Sequence, residues 1–268
     1  MIWKCRDKQI EYDKRTLIMG IVNVTPDSFS DGGRYFCAEK AVEHALLLQS
    51  QGADIIDIGA QSTRPGHIAV SAEEEWQRLE KVLRLLEGEL DAALSVDTYY
   101  PSVAEKSLSF GADIINDVSG VVTEEMAKIV KMSRCGWILM HNGAGAPDDV
   151  HRFFLDCTEK CEEYGIEKKQ LCFDMGIGFG KEYEENIALL ANVKSYKIDG
   201  FPLLLGTSRK RVIGQASGQE NPEKRIFGNI AADTAAIFDG VNIIRLHDVE
   251  NEKQGILTAD EIKAARRQ

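Results

Sequence analysis

The stretch LIMGIVN, residues 17–23, decides the fold, because it is an almost uninterrupted apolar run that ends on a polar side chain. Runs of this kind are typical of strands buried on both faces of a parallel sheet. Seven similar runs follow it, and the eight are separated on average by about 32 residues, the length of one βα unit. The seven are DIIDIGA from Asp54, AALSVD from Ala92, DIINDVS from Asp113, GWILMH from Gly136, QLCFDMG from Gln170, PLLLGTS from Pro202 and NIIRLHD from Asn242.

Longer amphipathic stretches lie between these runs, such as AEKAVEHALLLQSQG from Ala38 and SAEEEWQRLEKVLRLLEGEL from Ser71. Each has a glycine or turn signal near its carboxyl end, as helices commonly do. Eight repeated βα units predict an α/β fold, and their number favours a (β/α)8 TIM barrel over an open doubly wound sheet. The leading residues 1–16 predict a short N-terminal hairpin that caps the bottom of the barrel.

The composition predicts one globular domain that spans residues 1–268, since the chain length is close to the roughly 250 residues of a complete barrel. Hydrophobic residues make up 44% and charged residues 28% of the chain, so material for a large core is present. A net charge of −11 argues against a general nucleic-acid or anionic-membrane surface, since both need basic residues. Without a signal-peptide or transmembrane pattern, the sequence predicts a cytoplasmic location.

The six cysteines are scattered without a CxxC pair, which predicts free thiols in a cytoplasmic chain. Cys157 and Cys161 would share one helix face, so a metal-binding pair there is the less favoured alternative.

Polar side chains collect at the carboxyl ends of the predicted strands, which face the active-site mouth of a parallel barrel. In strand order they are Asn23; Gln61 with Ser62, Thr63 and Arg64; Asp97; Asn116 and Asp117; His141; Asp174; Ser208, Arg209, Lys210 and Arg211; and Arg245, His247 and Asp248. Each alone has an ordinary alternative, because a strand-end Asp is often a helix N-cap and an Asn often a turn residue.

Together, the polar strand ends predict a polar ligand in the mouth. Two carboxylates and an Asn inside apolar strands would be buried without partners unless such a ligand were present. A heterocycle with several N–H donors suits them, and a pterin also offers flat faces for Met140 and Phe179.

A cluster of cations predicts an anion site beside the heterocycle. Lys210, Arg245 and His247 follow the seventh and eighth strands, where barrels frequently bind phosphate, and Arg64 adds a further cation. The glycine-rich GIGFGK, residues 176–181, lacks the spacing of a P-loop, so we do not interpret it as a nucleotide site.

The segment NVTPDSFSDGG, residues 23–33, is polar and ends in glycines, a composition typical of a loop that closes over a substrate. Asn23, Asp27 and Asp31 offer hard oxygen ligands, and Mg2+ held partly by pyrophosphate needs about one or two of them. Asp27 follows a proline, so a turn is the favoured interpretation for that residue.

The strings MGIVNVTPDSFSDGG, STRPG, SVDT, IINDVSG, GIGFGK, GTSRKR and IRLHDV together resemble the dihydropteroate synthase family of pterin-binding barrels, in that family's order. The resemblance runs from about Leu17 to Val249. It implies a homodimeric barrel of folate biosynthesis that uses Mg2+ to condense (7,8-dihydropterin-6-yl)methyl diphosphate with 4-aminobenzoate and release pyrophosphate. Two alternatives stay open: a methyl-transferring pterin barrel that works with a corrinoid partner, and a non-catalytic pterin-binding protein.

The resemblance also implies roles for individual residues. It implies pterin contacts for Asp97, Asn116, Met140, Asp174, Phe179, Lys210 and Arg245. It implies pyrophosphate contacts for Asn23, Arg64, Arg245 and His247, with Asn23 also as the magnesium ligand. It implies p-aminobenzoate contacts for Phe29, Thr63, Pro65 and Ser208. The catalytic residues implied are Lys210, Arg245 and His247, together with Asp31, which would order the closed loop.

Two positions depart from the family pattern: Gln61 stands where the family usually has Glu, and Met175 where it usually has Pro. The first change removes a charge and the second removes the fixed φ of proline. The implied mechanism is an ionisation in which pyrophosphate leaves before the amine adds. The enzyme would therefore mainly stabilise the charge that develops on the pterin and on the leaving pyrophosphate. No insertion is evident after Pro65, so we expect sulfonamides to compete.

Overall fold

Eight parallel strands close into a barrel in the computed structural model, which describes residues 1–24, 34–61 and 70–266, without the side chains of residues 34–37. In chain order the strands are β1 (Ile2–Cys5), β2 (Lys8–Glu11), β3 (Leu17–Asn23), β4 (Ile55–Gly59), β5 (Ala93–Asp97), β6 (Ile114–Asp117), β7 (Gly136–Met140), β8 (Leu171–Asp174), β9 (Leu203–Leu205) and β10 (Ile243–Leu246). Each of the eight predicted runs contains one barrel strand, so the predicted TIM barrel is confirmed.

Helices separate the strands and pack around the barrel. They are α1 (Arg34–Gln51), α2 (Ala72–Leu86), α3 (Pro101–Ser109), α4 (Glu124–Ser133), α5 (Pro147–Glu163), α6 (Tyr183–Ala191), α7 (Val193–Tyr196), α8 (Arg211–Ser217), α9 (Ile226–Asp239) and α10 (Val249–Ala265). Short polar side chains begin several of them: Ser71 accepts a hydrogen bond from the backbone N–H of Glu74, and Thr123 accepts one from Met126.

The register of the barrel places its polar strand ends at one level. Asn23 pairs with Gly59, which pairs with Asp97, and Asp97 pairs with Asn116 on the next strand. Closure follows from β10, which pairs with both β3 and β9. The carboxyl ends of strands far apart in sequence therefore surround one mouth.

The predicted N-terminal hairpin is confirmed as β1 and β2, which pair antiparallel. Its Trp3 is buried with the lower layer of the barrel interior, and the indole N–H donates to the carbonyl of Gln170 at 2.9 Å. Arg6 donates to the carbonyls of Leu108 and Ala112 at 2.9 and 3.0 Å. These groups lie before the barrel strands begin, so the hairpin covers the end of the barrel opposite the mouth.

Five cysteines are buried free thiols in the part of the chain with described side chains: Cys5, Cys135, Cys157, Cys161 and Cys172. Within residues 1–24, 34–61 and 70–266, no helix is long and apolar enough to cross a membrane.

Candidate active site

A buried network of charged and amide side chains fills the barrel mouth, and Asp57 of β4 lies at its centre. The Arg245 guanidinium donates through Nε to Asp57 Oδ2 at 2.7 Å and through a terminal nitrogen to Asp97 Oδ2 at 3.0 Å. The Asn116 side-chain NH2 also donates to Asp57 Oδ2, at 3.1 Å. The Ser95 hydroxyl donates to the other carboxylate oxygen, Oδ1, at 2.6 Å.

This network corrects one expectation from the sequence, namely that the strand carboxylates would lack partners inside the protein. Asp97 has a partner because Arg245, 148 residues further along the chain, reaches it across the barrel. Sequence reasoning also missed Asp57 as a site residue. The signal was a charged residue between Ile56 and Ile58 in a buried strand, where an unpaired carboxylate would be costly.

The second half of the site is built by β8 and the loop that follows it. Asp174 Oδ1 accepts the backbone N–H of Gly176 at 2.8 Å. Gly176 has a φ of +68°, and a Cβ there would lie 1.9 Å from the carbonyl oxygen of His141, so this turn requires glycine. Lys210 Nζ donates to the carbonyl of Ile177 at 2.5 Å and lies 4.8 Å from the centre of the Phe179 ring. The loop thus brings Asp174, Lys210 and Phe179 together.

Lys181 holds this loop from beneath and was not singled out from the sequence. Its side chain is buried, and Nζ donates to the carbonyls of His141, Gly176 and Phe179 at 3.1, 2.9 and 3.3 Å. The lysine that ends GIGFGK is therefore committed to backbone carbonyls and does not point to a phosphate. Asn186 adds support, since its Oδ1 accepts the N–H of Gly178 at 2.6 Å.

The loop after β9 carries Ser208 and Lys210 on either side of Arg209, which has a left-handed φ of +63°. Ser208 Oγ lies 2.9 Å from His247 Nδ1, and the backbone N–H of His247 donates to the same hydroxyl at 3.2 Å. Arg225 fastens the loop because its guanidinium donates to the carbonyls of Arg209 and Lys210 at 2.8 and 3.2 Å. A strained residue held in this way keeps both flanking side chains at the mouth.

Burial controls the charges of the site. It raises the pKa of Asp97 to about 7, although Arg245 opposes the shift. It also raises the pKa of Asp174, which the nearby Lys210 partly offsets. Burial lowers the pKa of Lys210 to about 8, against the attraction of Asp174. For Arg245 burial alone would lower the pKa, but the carboxylates of Asp57 and Asp97 outweigh it and raise the value.

Of the other predicted site residues, some lie among the described residues and some lie outside them. Asn23 ends β3 with a half-buried side chain, and Met140 ends β7 beside Asp174 in the register. Outside the described residues lie Asp27, Phe29, Asp31, Thr63, Arg64 and Pro65.

Two strand-end aspartates have ordinary structural roles. Asp248 is the N-cap of α10, where its side chain accepts the N–H of Asn251 at 3.1 Å. Asp117 accepts the backbone N–H of Ser119 at 2.9 Å. These two residues therefore follow the capping and turn alternatives that the sequence had left open.

Both departures from the family pattern have a local structural account. Gln61 is buried, donates from Nε2 to the Tyr99 hydroxyl at 2.8 Å and accepts the Val70 N–H at 3.2 Å. An amide both donates and accepts, whereas a carboxylate at this position only accepts. Met175 is fully buried, with its sulfur 3.0 Å from the Tyr196 hydroxyl, so it belongs to the packing behind the loop.

Comparison with known proteins places this site in context. Residues 19–247 match the family model described as pterin binding enzyme. The dihydropteroate synthase of Synechocystis sp. (strain ATCC 27184 / PCC 6803 / Kazusa) is 40% identical over 264 residues, which cover 93% of this chain and 91% of the relative.

Two solved structures of Xanthomonas albilineans dihydropteroate synthase are also similar. The one with 4-aminobenzoic acid has a TM-score of 0.90 and 40% identity, covering 99% of this chain and 98% of that one. The one in complex with 7,8-dihydropteroate has a TM-score of 0.88 and 38% identity, covering 100% and 99%.

Proposed function

Because the chain belongs to the pterin-binding enzyme family, we propose that it is a dihydropteroate synthase, which condenses (7,8-dihydropterin-6-yl)methyl diphosphate with 4-aminobenzoate and releases pyrophosphate. One observation carries the proposal: hydrogen-bond acceptors for a heterocycle and cations for a diphosphate line the same barrel mouth. The acceptors belong to Asp97, Asn116 and Asp174, and the cations to Lys210 and Arg245.

The hydrogen-bond acceptors of the mouth match the N–H donors of the pterin ring. Carboxylates at Asp97 and Asp174 accept the amino and ring N–H groups, and their burial makes each hydrogen bond worth more than in water. Met140 and Phe179 flank the same opening and offer apolar surface to the ring faces. The ring is thereby fixed in one orientation, with its methylene directed to the reaction partner.

The cationic side chains of the mouth match the negative charge of the diphosphate. Lys210 follows β9 and His247 follows the neighbouring strand β10, which itself carries Arg245. The guanidinium is bound to Asp57 and Asp97, so any contact that it makes with pyrophosphate uses its remaining N–H groups. Arg64 would complete the cluster, but it lies outside the described residues.

The reaction breaks the bond between the pterin methylene carbon and the diphosphate oxygen, and the electron pair leaves with pyrophosphate. The arylamine nitrogen then forms the new C–N bond and releases one proton to the solvent. The arylamine is already nucleophilic, so the chain's residues act by orienting the two reactants and by stabilising charge. Asp97 and Asp174 favour the electron-poor ring, while Arg245 and His247 favour the departing anion.

Magnesium fits the residues present, with Asn23 as its protein ligand. Mg2+ typically keeps several waters and takes about one or two protein oxygens plus phosphate oxygens, so a single amide oxygen at the strand end is a sufficient donor. When bound, the ion would neutralise charge on the diphosphate. The described residues contain no cluster of three or more metal-ligating acidic, histidine or cysteine side chains.

The 4-aminobenzoate would be held by Ser208 together with Phe29, Thr63 and Pro65, of which only Ser208 lies among the described residues. Its hydroxyl is fixed beside His247, close to the proposed diphosphate position. The complex of the Xanthomonas albilineans enzyme with 4-aminobenzoic acid supports this choice of second substrate.

We propose that the chain acts as a homodimer through α9. Phe227 on this helix is 83% exposed, and the helix carries only two charged residues, Asp233 and Asp239. An apolar helix face of this kind is normally covered. Sedimentation equilibrium of wild type and Phe227→Glu should give a dimer and a monomer, respectively.

We further propose that residues 1–268 form one domain. The cytoplasmic location stays a prediction.

The test of the function is pyrophosphate release from the dihydropterin diphosphate, measured with and without 4-aminobenzoate and with and without Mg2+. We expect release that is coupled to dihydropteroate formation and dependent on the metal. Tight pterin binding without release would contradict the proposal and would favour the non-catalytic pterin-binding protein. Methyl transfer to a corrinoid protein would favour the other alternative.

The pH dependence of kcat/KM should be bell-shaped, with a narrow maximum between about 7 and 8. Below about 7, the pKa to which burial raises Asp97, this carboxyl gains a proton and stops acting as an acceptor and as a partner of Arg245. Above about 8, the pKa to which burial lowers Lys210, this side chain loses its charge. In Asp97→Asn the residual activity should lose the acidic limb and keep the alkaline one; an unchanged acidic limb would refute the assignment.

A further inference from the structure

We propose that Asp57 determines the preference for the reduced over the oxidised pterin: it fixes the side-chain amide of Asn116 so that the carbonyl oxygen faces the ligand and accepts an N–H that the 7,8-dihydro ring carries and the oxidised ring lacks. The inference rests on the proposed function and deepens it. Asp57 contacts Asn116, not the substrate, so it is a positioning residue.

Asp57 is held as an acceptor by its surroundings. Its side chain is completely buried, at 0% exposure, and it receives hydrogen bonds from Ser95, Asn116 and Arg245. The Arg245 guanidinium at 2.7 Å supplies the compensating positive charge that a buried carboxylate requires. Asp57 therefore presents lone pairs, and no donor, to the amide of Asn116.

The orientation of Asn116 follows from this chemistry. An amide has an NH2 end that donates and an oxygen end that accepts. A carboxylate only accepts, so the end that lies 3.1 Å from Asp57 Oδ2 must be the NH2 group. The reversed orientation would place the amide oxygen against a carboxylate oxygen, with two lone pairs facing each other. Asp57 thus excludes one of the two rotamers of Asn116.

The oxygen end of Asn116 is then available to accept a hydrogen bond from a ligand. Asn116 is 2% exposed, and its Oδ1 has no hydrogen-bond partner among the described residues. A buried acceptor left without a donor is costly, so a ligand that supplies an N–H here is favoured over one that does not. The neighbouring Asp97 is in register with Asn116 and is also an acceptor in its ionised form.

The two oxidation states of the ring differ in the donor that they offer. A 7,8-dihydropterin carries an N–H at ring position 8, whereas the oxidised pterin has a bare nitrogen with a lone pair there. Against an oriented amide oxygen the first forms a hydrogen bond and the second is repelled. A site whose polar groups are fixed in this way rejects the analogue that lacks the matching group.

The test compares the dissociation constants of 6-hydroxymethyl-7,8-dihydropterin and 6-hydroxymethylpterin for wild type and Asp57→Asn, by calorimetry without turnover. Wild type should prefer the dihydro form by about tenfold or more, the effect of satisfying one buried acceptor. In the variant, the introduced amide can donate as well as accept, so both orientations of Asn116 become available. The preference should then fall to within about threefold, whatever the change in absolute affinity.

Ser95→Ala is the matched control, because it removes one hydrogen bond to the same carboxylate but keeps the carboxylate itself. Its preference should stay within about twofold of wild type, since Asn116 is still held by an acceptor-only neighbour. Thermal unfolding of each variant checks that the comparison is made on folded protein. If Asp57 only supports the structure, Asp57→Asn will weaken both pterins equally and leave the ratio unchanged, which would overturn the inference.

The proposal and the proposed function can fail separately. Wild-type enzyme that makes dihydropteroate but binds both pterins equally would remove the role of Asp57 and leave the synthase function standing. Wild-type protein that binds neither pterin would remove both.

Discussion

Replacing Lys210 with alanine is expected to lower kcat/KM for the dihydropterin diphosphate by about a hundredfold to a thousandfold, the cost of losing a group that stabilises charge in the transition state. Lys210 is half-buried and attracted by Asp174, donates to the carbonyl of Ile177 and lies over the ring of Phe179. Its removal takes away a cation near the departing pyrophosphate. It also leaves Asp174 without the charge that holds down its pKa, so the pterin acceptor is weakened as well.

The matched control for Lys210→Ala is Arg211→Ala. Arg211 is the next residue along the chain and is exposed at the start of α8, so the control removes the same charge from the same loop. We expect its kcat/KM to stay within about twofold of wild type, as for most surface substitutions. The measurement is steady-state pyrophosphate release coupled to dihydropteroate formation. Equal losses in both variants would show that Lys210 acts only through the general field of the loop.

The fold could be predicted from the sequence because local patterns determine it. The run at Leu17–Asn23 is apolar almost throughout, which is typical of a strand buried on both faces in a chain of repeated βα units. The same pattern located all eight barrel strands. Barrel geometry predicts that Asp97, Asn116 and Asp174, which are at or next to the carboxyl ends of parallel strands, lie at one mouth.

The contacts inside the mouth could not be predicted, because they join residues far apart in the chain. Asp57 and Arg245 are separated by 188 residues, and only closure of β10 onto β3 brings them within hydrogen-bond distance. No local sequence pattern predicts a contact between two residues so far apart in the chain. The same holds for Ser208 and His247, which the resemblance assigned to different substrates and which the structure places side by side.

Lys181 shows a different limit of sequence reasoning. The sequence analysis assigned no role to this lysine at the end of GIGFGK, whereas in the structure its side chain donates to three backbone carbonyls. This arrangement depends on the positive φ values of Gly176, Gly178 and Gly180, which point carbonyl oxygens to one spot. Glycine content predicts that a turn exists but not where its carbonyls point.

Replacing Arg245 with methionine is expected to destabilise the protein by about 3–5 kcal/mol at pH 8, the usual cost of removing one partner from a buried ion pair. Asp57 and Asp97, whose side chains are 0% and 10% exposed, would both lose the guanidinium, at 2.7 and 3.0 Å. Methionine fills a similar volume, so loss of packing contributes little to the change. The free energy of unfolding is measured by urea denaturation of wild type and variant.

The pH dependence of the stability lost in Arg245→Met tests whether this loss is electrostatic. Arg245 lowers the pKa of Asp97, so in Arg245→Met the folded-state pKa of that carboxyl lies still further above its unfolded value. A carboxyl with a raised folded pKa favours the folded state at low pH and loses that contribution as the pH rises through the folded pKa. The deficit should therefore be smaller at pH 5 than at pH 8, and adding Asp57→Asn should recover part of it at pH 8. A deficit that is equal at both pH values and insensitive to Asp57→Asn would mean that Arg245 contributes by packing alone.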